Sequence, residues 1–148
     1  MKVLIGYDSK YGNTKKVAEM IGEGIKTVKD NEVTVENVKN IDLTREETYD
    51  LLLLGSPNHA SSFSRNVKKF LKGLANAQLK SKSYAVFDTY MGTEIGKAVK
   101  ELEAALGELM PSVTKASSGL SIKVGGMEGP IVEEDLPKCK EFGTKLAN

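Results

Sequence analysis

A single cysteine, Cys139, in a chain of 148 residues excludes an internal disulfide framework and any cysteine-held zinc or iron–sulfur centre. Tryptophan is absent, and His59 is the only histidine. One imidazole makes neither a histidine-based metal site nor a Ser–His–Asp triad. Arginine occurs only at positions 45 and 65, so the positive charge is almost all lysine, and the formal net charge is +1. Arginine is the preferred reader of phosphates and base edges, so nucleic acid is not an expected partner. No apolar run approaches the ~20 residues of a membrane-spanning helix, and no membrane partner is expected. The N-terminus MKVLIGYDS carries one lysine and an apolar run too short for a signal peptide, which makes the cytoplasm the expected location.

What is present has an even rhythm. Residues 1–148 suit one domain with a core of its own. VLIGY (3–7), LLLLGS (51–56) and SYAVFD (83–88) are short apolar runs of the kind that form strands buried on both faces. EVTVENV (32–38) alternates like an outer strand, and LSIKV (120–124) predicts a fifth. Between them, helical spacing is carried by Val17, Ile21, Ile25 and Val28, then by Val67, Phe70, Leu71 and Leu74. The spacing of Ile95, Ala98, Val99, Leu102, Leu106 and Leu109 predicts a third helix, ended before Pro111. Leu136, Cys139, Phe142 and Leu146 predict a last one, with Cys139 as a small core residue. A short helical piece fits TREET (44–48). Such strand–helix alternation predicts an α/β three-layer sandwich with a mostly parallel five-stranded sheet. In these folds ligands bind beyond the carboxyl ends of the strands.

The loop after the first strand, SKYGNT (9–14), runs straight into a helix. Unpaired N–H groups and the positive end of the helix dipole suit a phosphate there, with Ser9, Tyr11, Asn13 and Thr14 as neutral donors and Gly12 allowing close approach. The plainer alternative is that Ser9 or Asn13 only caps the helix. A Walker A loop is excluded, because Gly6 to Gly12 is one residue too long and Asn13 replaces the lysine; the dinucleotide pattern G-x-G-x-x-G is absent. A receiver domain needs an acceptor aspartate where this chain has Gly55-Ser56. Asp8 and Asp88 at strand ends lack the third acidic neighbour of a Mg²⁺ site. Lys10, Lys15 and Lys16 either attract a phosphate or form a solvated helix face.

Three loops in order carry a resemblance. SKYGNT resembles the phosphate loop of the flavodoxin family, GSPNHASS (55–62) resembles its loop after the third strand, and FDTYMGTE (87–94) its loop after the fourth. The ending VGGMEGPIVEEDLPKCKEFGTKLA is similar to many flavodoxin-domain C-termini, and the second loop looks closest to the flavodoxin module of flavo-diiron proteins. The resemblance implies a doubly wound sheet of order 2-1-3-4-5 with one noncovalent FMN at its carboxyl edge. It gives the phosphate to Ser9, Lys10 through its backbone, Tyr11, Gly12, Asn13 and Thr14. Ser56, Pro57, Asp88 and Thr89 would line the ribityl chain. The ring would lie between Asn58, His59, Ala60 and Ser61 on one side and Tyr90, Met91 and Gly92 on the other. His59 is otherwise a solvated loop residue, and Tyr90 otherwise an aromatic at the core edge.

The chain departs from the family pattern in ways that carry expectations. His59 stands where a tryptophan or other large apolar residue often meets the ring, and Ala60 stands where glycine is common. Ala60 lacks glycine's freedom at positive φ. No acid lies between Gly55 and Val67, but Arg65 does, so the second reduction of the ring is expected at a less negative potential than in strongly reducing members. Too short for the last-strand insertion of long-chain members, the chain reads as a short-chain, stand-alone, monomeric electron carrier serving redox partner proteins. The alternatives are an NAD(P)H-dependent FMN or quinone reductase, and a phosphate-binding module without flavin.

Overall fold

The computed structural model describes residues 1–148. Strand β1 (Lys2–Tyr7) leads to helix α1 (Asn13–Lys26), β2 (Glu32–Asn37), the two-residue β3 (Thr48–Tyr49) and β4 (Leu51–Pro57). Helix α2 (Arg65–Leu74), the short β5 (Lys80–Ser81), β6 (Ser83–Tyr90) and α3 (Lys97–Leu109) follow. The chain ends with β7 (Thr114–Lys115), β8 (Leu120–Lys123) and α4 (Leu136–Ala147).

The main sheet is parallel and runs β2-β1-β4-β6, with β7 and β8 both paired to the outer side of β6. Ser83 and Tyr84 pair with Thr114 and Lys115, and Phe87 to Tyr90 pair with Leu120 to Lys123. β7 and β8 are therefore two pieces of one fifth strand, interrupted at residues 116–119. The order is the doubly wound 2-1-3-4-5, and the direction in which strands are added reverses between β1 and β4.

Alternation along the central strands divides the core. Leu4, Leu52, Leu54, Tyr84 and Val86 face α2 and α3 in one cluster of 17 buried residues. Val3, Ile5, Leu51, Leu53, Ala85 and Phe87 face α1 and α4 in a second cluster of 15. That two-faced burial is why these runs are apolar throughout rather than alternating. Cys139 is fully buried in the second cluster, and burial pushes its thiol up to about 11. No helix is long and apolar enough to cross a membrane.

Two local expectations are corrected. Residues 44–48 form no helix, because the Asp42 carboxylate accepts from the N–H of Thr44 (2.9 Å) and its hydroxyl (2.6 Å), while Thr48 enters a ladder with Lys80. An aspartate that bonds the backbone two residues on stabilises a turn instead. Ile95 lies outside α3 and is 63% exposed, because Gly96 caps that helix at φ +74.

Candidate functional site

The carboxyl ends of β1, β4, β6 and β8 surround a cavity of about 470 Å³. Its first wall is the loop into α1. Gly12 is the helix N-cap at φ +92, a conformation that glycine adopts without penalty. No side chain caps α1, and the Ser9 hydroxyl instead accepts from the Gly12 N–H at 3.0 Å. Capping alone therefore does not account for Ser9 and Asn13. The N–H groups of Lys10, Tyr11, Asn13, Thr14 and Lys15 have no acceptor within the chain. Unpaired donors at the positive end of a 14-residue helix form an anion cradle.

The second wall follows β4. The Asn58 N–H donates to the Thr89 carbonyl at 2.8 Å, tying this loop to the end of β6. His59 and Ser62 then exchange both backbone hydrogen bonds, at 2.7 and 2.9 Å, around a two-residue turn. Ala60 and Ser61 in that turn have φ +50 and +64. Such turns normally use Asn-Gly, because non-glycine residues pay about 1–2 kcal/mol each in the left-handed region. The sequence leads one to expect Ala60 to avoid positive φ, yet Ala60 takes it in this turn. The side-chain Oδ1 of Asn58 is buried with no donor. Asn58 lines the cavity, and an orphaned buried acceptor is unusual in folded proteins.

The third wall follows β6. Thr89 is 5% exposed, and its hydroxyl lies 2.9 Å from that of Thr14 across the cavity floor. Tyr90 is 8% exposed, and burial raises its phenol above the ordinary value. Met91 is exposed at the rim, and Gly92 takes φ +61 in the turn that brings the Glu94 N–H to the Met91 carbonyl at 3.3 Å. The Ser61 hydroxyl donates to Oε2 of Glu94 at 2.9 Å.

A fourth wall comes from β8 and the loop beyond it. Val124 donates its N–H to the Tyr90 carbonyl at 2.9 Å, which carries the chain along the cavity's edge to Met127. That loop abuts the start of α1, since a Cβ on Gly129 would stand 2.5 Å from Oδ1 of Asn13.

Among the residues read from sequence as a site, the cavity is lined by Ser9, Lys10, Tyr11, Asn13, Thr14, Pro57, Asn58, His59, Ala60, Thr89, Tyr90 and Met91. Gly12, Ser61 and Gly92 shape the loops without lining it. Ser56 and Asp88 lie behind the wall. The Ser56 hydroxyl donates to the Pro57 carbonyl and accepts the Ser64 N–H, both at 2.8 Å. Asp88 is fully buried; its Oδ2 accepts the Val99 N–H at 3.0 Å and its Oδ1 the Ser121 hydroxyl. Burial raises the Asp88 carboxyl, against the lowering pull of the Ser121 and backbone donors. Strand parity predicts both orientations, because Ser56 follows Leu52 and Leu54, and Asp88 follows Tyr84 and Val86, onto the α2/α3 face. Sequence reasoning missed Glu94, Val124 and Met127. Extending the search to the loop after the fifth strand would have found the last two.

A parallel doubly wound sheet with an anion-cradling helix start and a half-open, partly apolar cavity at its carboxyl edge defines a mononucleotide-binding α/β protein. The family model described as Flavodoxin matches residues 5–142. The flavodoxin of Clostridium saccharobutylicum is 32% identical, with all of this chain and 96% of that protein covered. The flavodoxin of Aquifex aeolicus is 28% identical over 99% of this chain and 85% of its own length. Among solved structures, a flavodoxin from the Archaea matches with a TM-score of 0.80 and 26% identity, covering 99% and 96% of the two chains. Flavodoxin 2 of Bacillus cereus gives 0.77 and 28%, covering 99% and 98%. A flavodiiron core from Synechocystis shares the fold at 0.75 and 21% identity, with this chain spanning 35% of it. The chain belongs to the flavodoxin family, flavin-binding electron-transfer proteins whose cofactor is FMN.

Proposed function

We propose that this chain is a cytoplasmic, low-potential carrier that moves electrons between redox partner proteins on one noncovalently held FMN, within a single domain spanning residues 1–148. The observation that carries the reading is the set of unpartnered N–H groups at the start of α1, beside a cavity lined by Ser9, Asn13, Thr14, Asn58 and Tyr90. These fit a phosphate at one end of a ligand and leave room for a ring between the loops after β4 and β6. FMN supplies the redox chemistry when bound; the polypeptide supplies position and field.

Ser9, Tyr11, Asn13 and Thr14, with the backbone N–H of Lys10 and the turn made by Gly12, would hold the phosphate without a direct counter-charge. Thr14 and Thr89, fixed by their mutual hydrogen bond, would receive the ribityl hydroxyls beside Pro57. Asn58, His59 and Ala60 would face one side of the ring, and Tyr90 and Met91 the other. No acid–base or nucleophilic group is required of the protein. The exposed side chains of Tyr11, Met91 and Met127 make the mouth apolar, as suits a brief contact with a partner protein. Glu94 is the one carboxylate lining the cavity, and Lys10 lines it as well. That balance supports a second reduction less negative than in members with acid-rich surroundings.

The test is a fluorescence titration of the apoprotein with FMN and with riboflavin. Quenching by FMN at much lower concentration than by riboflavin supports the reading, and no quenching by either overturns it. Potentiometry then examines the potentials, and a very low second potential contradicts the expected field. Rapid NAD(P)H oxidation by the loaded protein would replace the carrier with a reductase.

A further inference from the structure

The two loops that embrace the ring position in the proposed function are joined by one side-chain hydrogen bond, from Ser61 Oγ to Glu94 Oε2 at 2.9 Å across 33 residues of sequence. We propose that this pair is a clasp: Ser61 fixes the Glu94 carboxylate at the cavity mouth, and Glu94 holds the Ala60–Ser61 turn shut, so that together they set how slowly the cofactor leaves and how readily it is reduced. This inference rests on the FMN reading of the cavity.

Three features converge on the pair. Ala60 and Ser61 both occupy the left-handed region without being glycine, so their turn favours other conformations unless something outside it holds it. Within the loop, the restraints are the His59–Ser62 backbone pair and the Asn58 N–H to Thr89 carbonyl bond, which anchor its base rather than its tip. At the tip, the Ser61 hydroxyl supplies the missing tie, and its acceptor is a charged oxygen, the stronger kind of partner. Glu94 is in turn held by its own N–H on the Met91 carbonyl at 3.3 Å and is only partly exposed. It is also the only carboxylate lining the cavity, in a neighbourhood where residues 55–67 contribute none. A fixed negative charge at that mouth opposes the arrival of an electron, whereas a freely swinging one is screened by water. Ser61 and Glu94 are thus positioning residues for the electron-transfer step rather than groups that react.

Two variants separate tie from charge. S61A removes the donor and leaves the carboxylate; E94Q keeps an amide oxygen for Ser61 and removes the charge. In the apoprotein, S61A should speed amide hydrogen exchange at His59 and Ser62, the pair that closes the turn. In the loaded protein it should speed FMN release roughly 3- to 10-fold, the scale of one exposed charge-assisted hydrogen bond. E94Q should raise the midpoint potential while releasing FMN more slowly than S61A. Wild-type exchange and release in S61A would overturn the tie, and an unmoved potential in E94Q would overturn the charge. Should the wild type bind no flavin, the exchange measurement still decides the clasp, and the functional reading fails separately.

Discussion

The hydroxyls of Thr14 and Thr89 lie 2.9 Å apart although the residues are 75 positions distant, one at the first turn of α1 and the other near the end of β6. Both are nearly inaccessible, at 2% and 5%. The bond locks the anion cradle to the sheet. Replacing Thr14 with valine keeps the shape and strands the Thr89 hydroxyl. The expected cost is about 1–3 kcal/mol in urea unfolding, the penalty for one buried unsatisfied group. FMN affinity should fall in the same variant, read by fluorescence quenching.

Ala60 sits at φ +50 at the tip of the second loop. Substituting glycine removes a left-handed penalty of about 1–2 kcal/mol, offset in part by the greater freedom of glycine in the unfolded chain. The A60G apoprotein should therefore gain a few tenths to about 1 kcal/mol in chemical denaturation. A loss of stability would mean that the turn relaxes when no cofactor is bound.

Helices α1 and α4 cross so closely that a Cβ on Gly143 would stand 2.1 Å from the Ile21 carbonyl oxygen. Backbone cannot yield as a flexible side chain does, so G143A must separate the helices. A loss of about 1–3 kcal/mol or more is expected, the cost of overpacking a tight core. The midpoint of thermal unfolding checks it.

Burial raises the carboxyl of Asp88 above its ordinary 3.8. A raised folded-state value means that the native state holds this proton more tightly than the unfolded chain does. Stability from this group therefore falls as pH rises from 3.8 through the raised value. D88N has no such proton, so the wild type should gain stability relative to D88N as the pH is lowered through that window. Parallel urea unfolding series measure the difference, and a constant gap across pH would contradict the raised value.

Most of the scaffold was legible because its determinants are local. Runs such as LLLL at 51–54 require burial on both faces, which only a covered parallel sheet provides. SKYGNT could be placed because a loop between a buried strand and a helix start lies at the carboxyl edge whatever the remaining topology. Side-chain direction follows strand parity rather than depth in the strand. Asp88 and Ser56 sit at the right depth in their strands, but alternation turns them towards α3 and α2. Glu94 and Met127 reach the cavity only because β8 lies beside β6 and because Gly92 reverses the chain, both tertiary facts. Ile95 misled because apolar spacing continues past Gly96, where the helix does not.

The interruption at residues 116–119 also bears on how copies of this chain meet one another. Sheet margins invite strand addition from neighbouring molecules when they are long, flat and apolar. Here one margin is cut into a two-residue and a four-residue ladder. The opposite margin, β2, carries exposed Glu32 and Thr34 and, in the same alternation, a half-buried Glu36 paired with Arg45. One border is broken and the other carries charge, two features that disfavour edge-to-edge pairing between copies of the sheet.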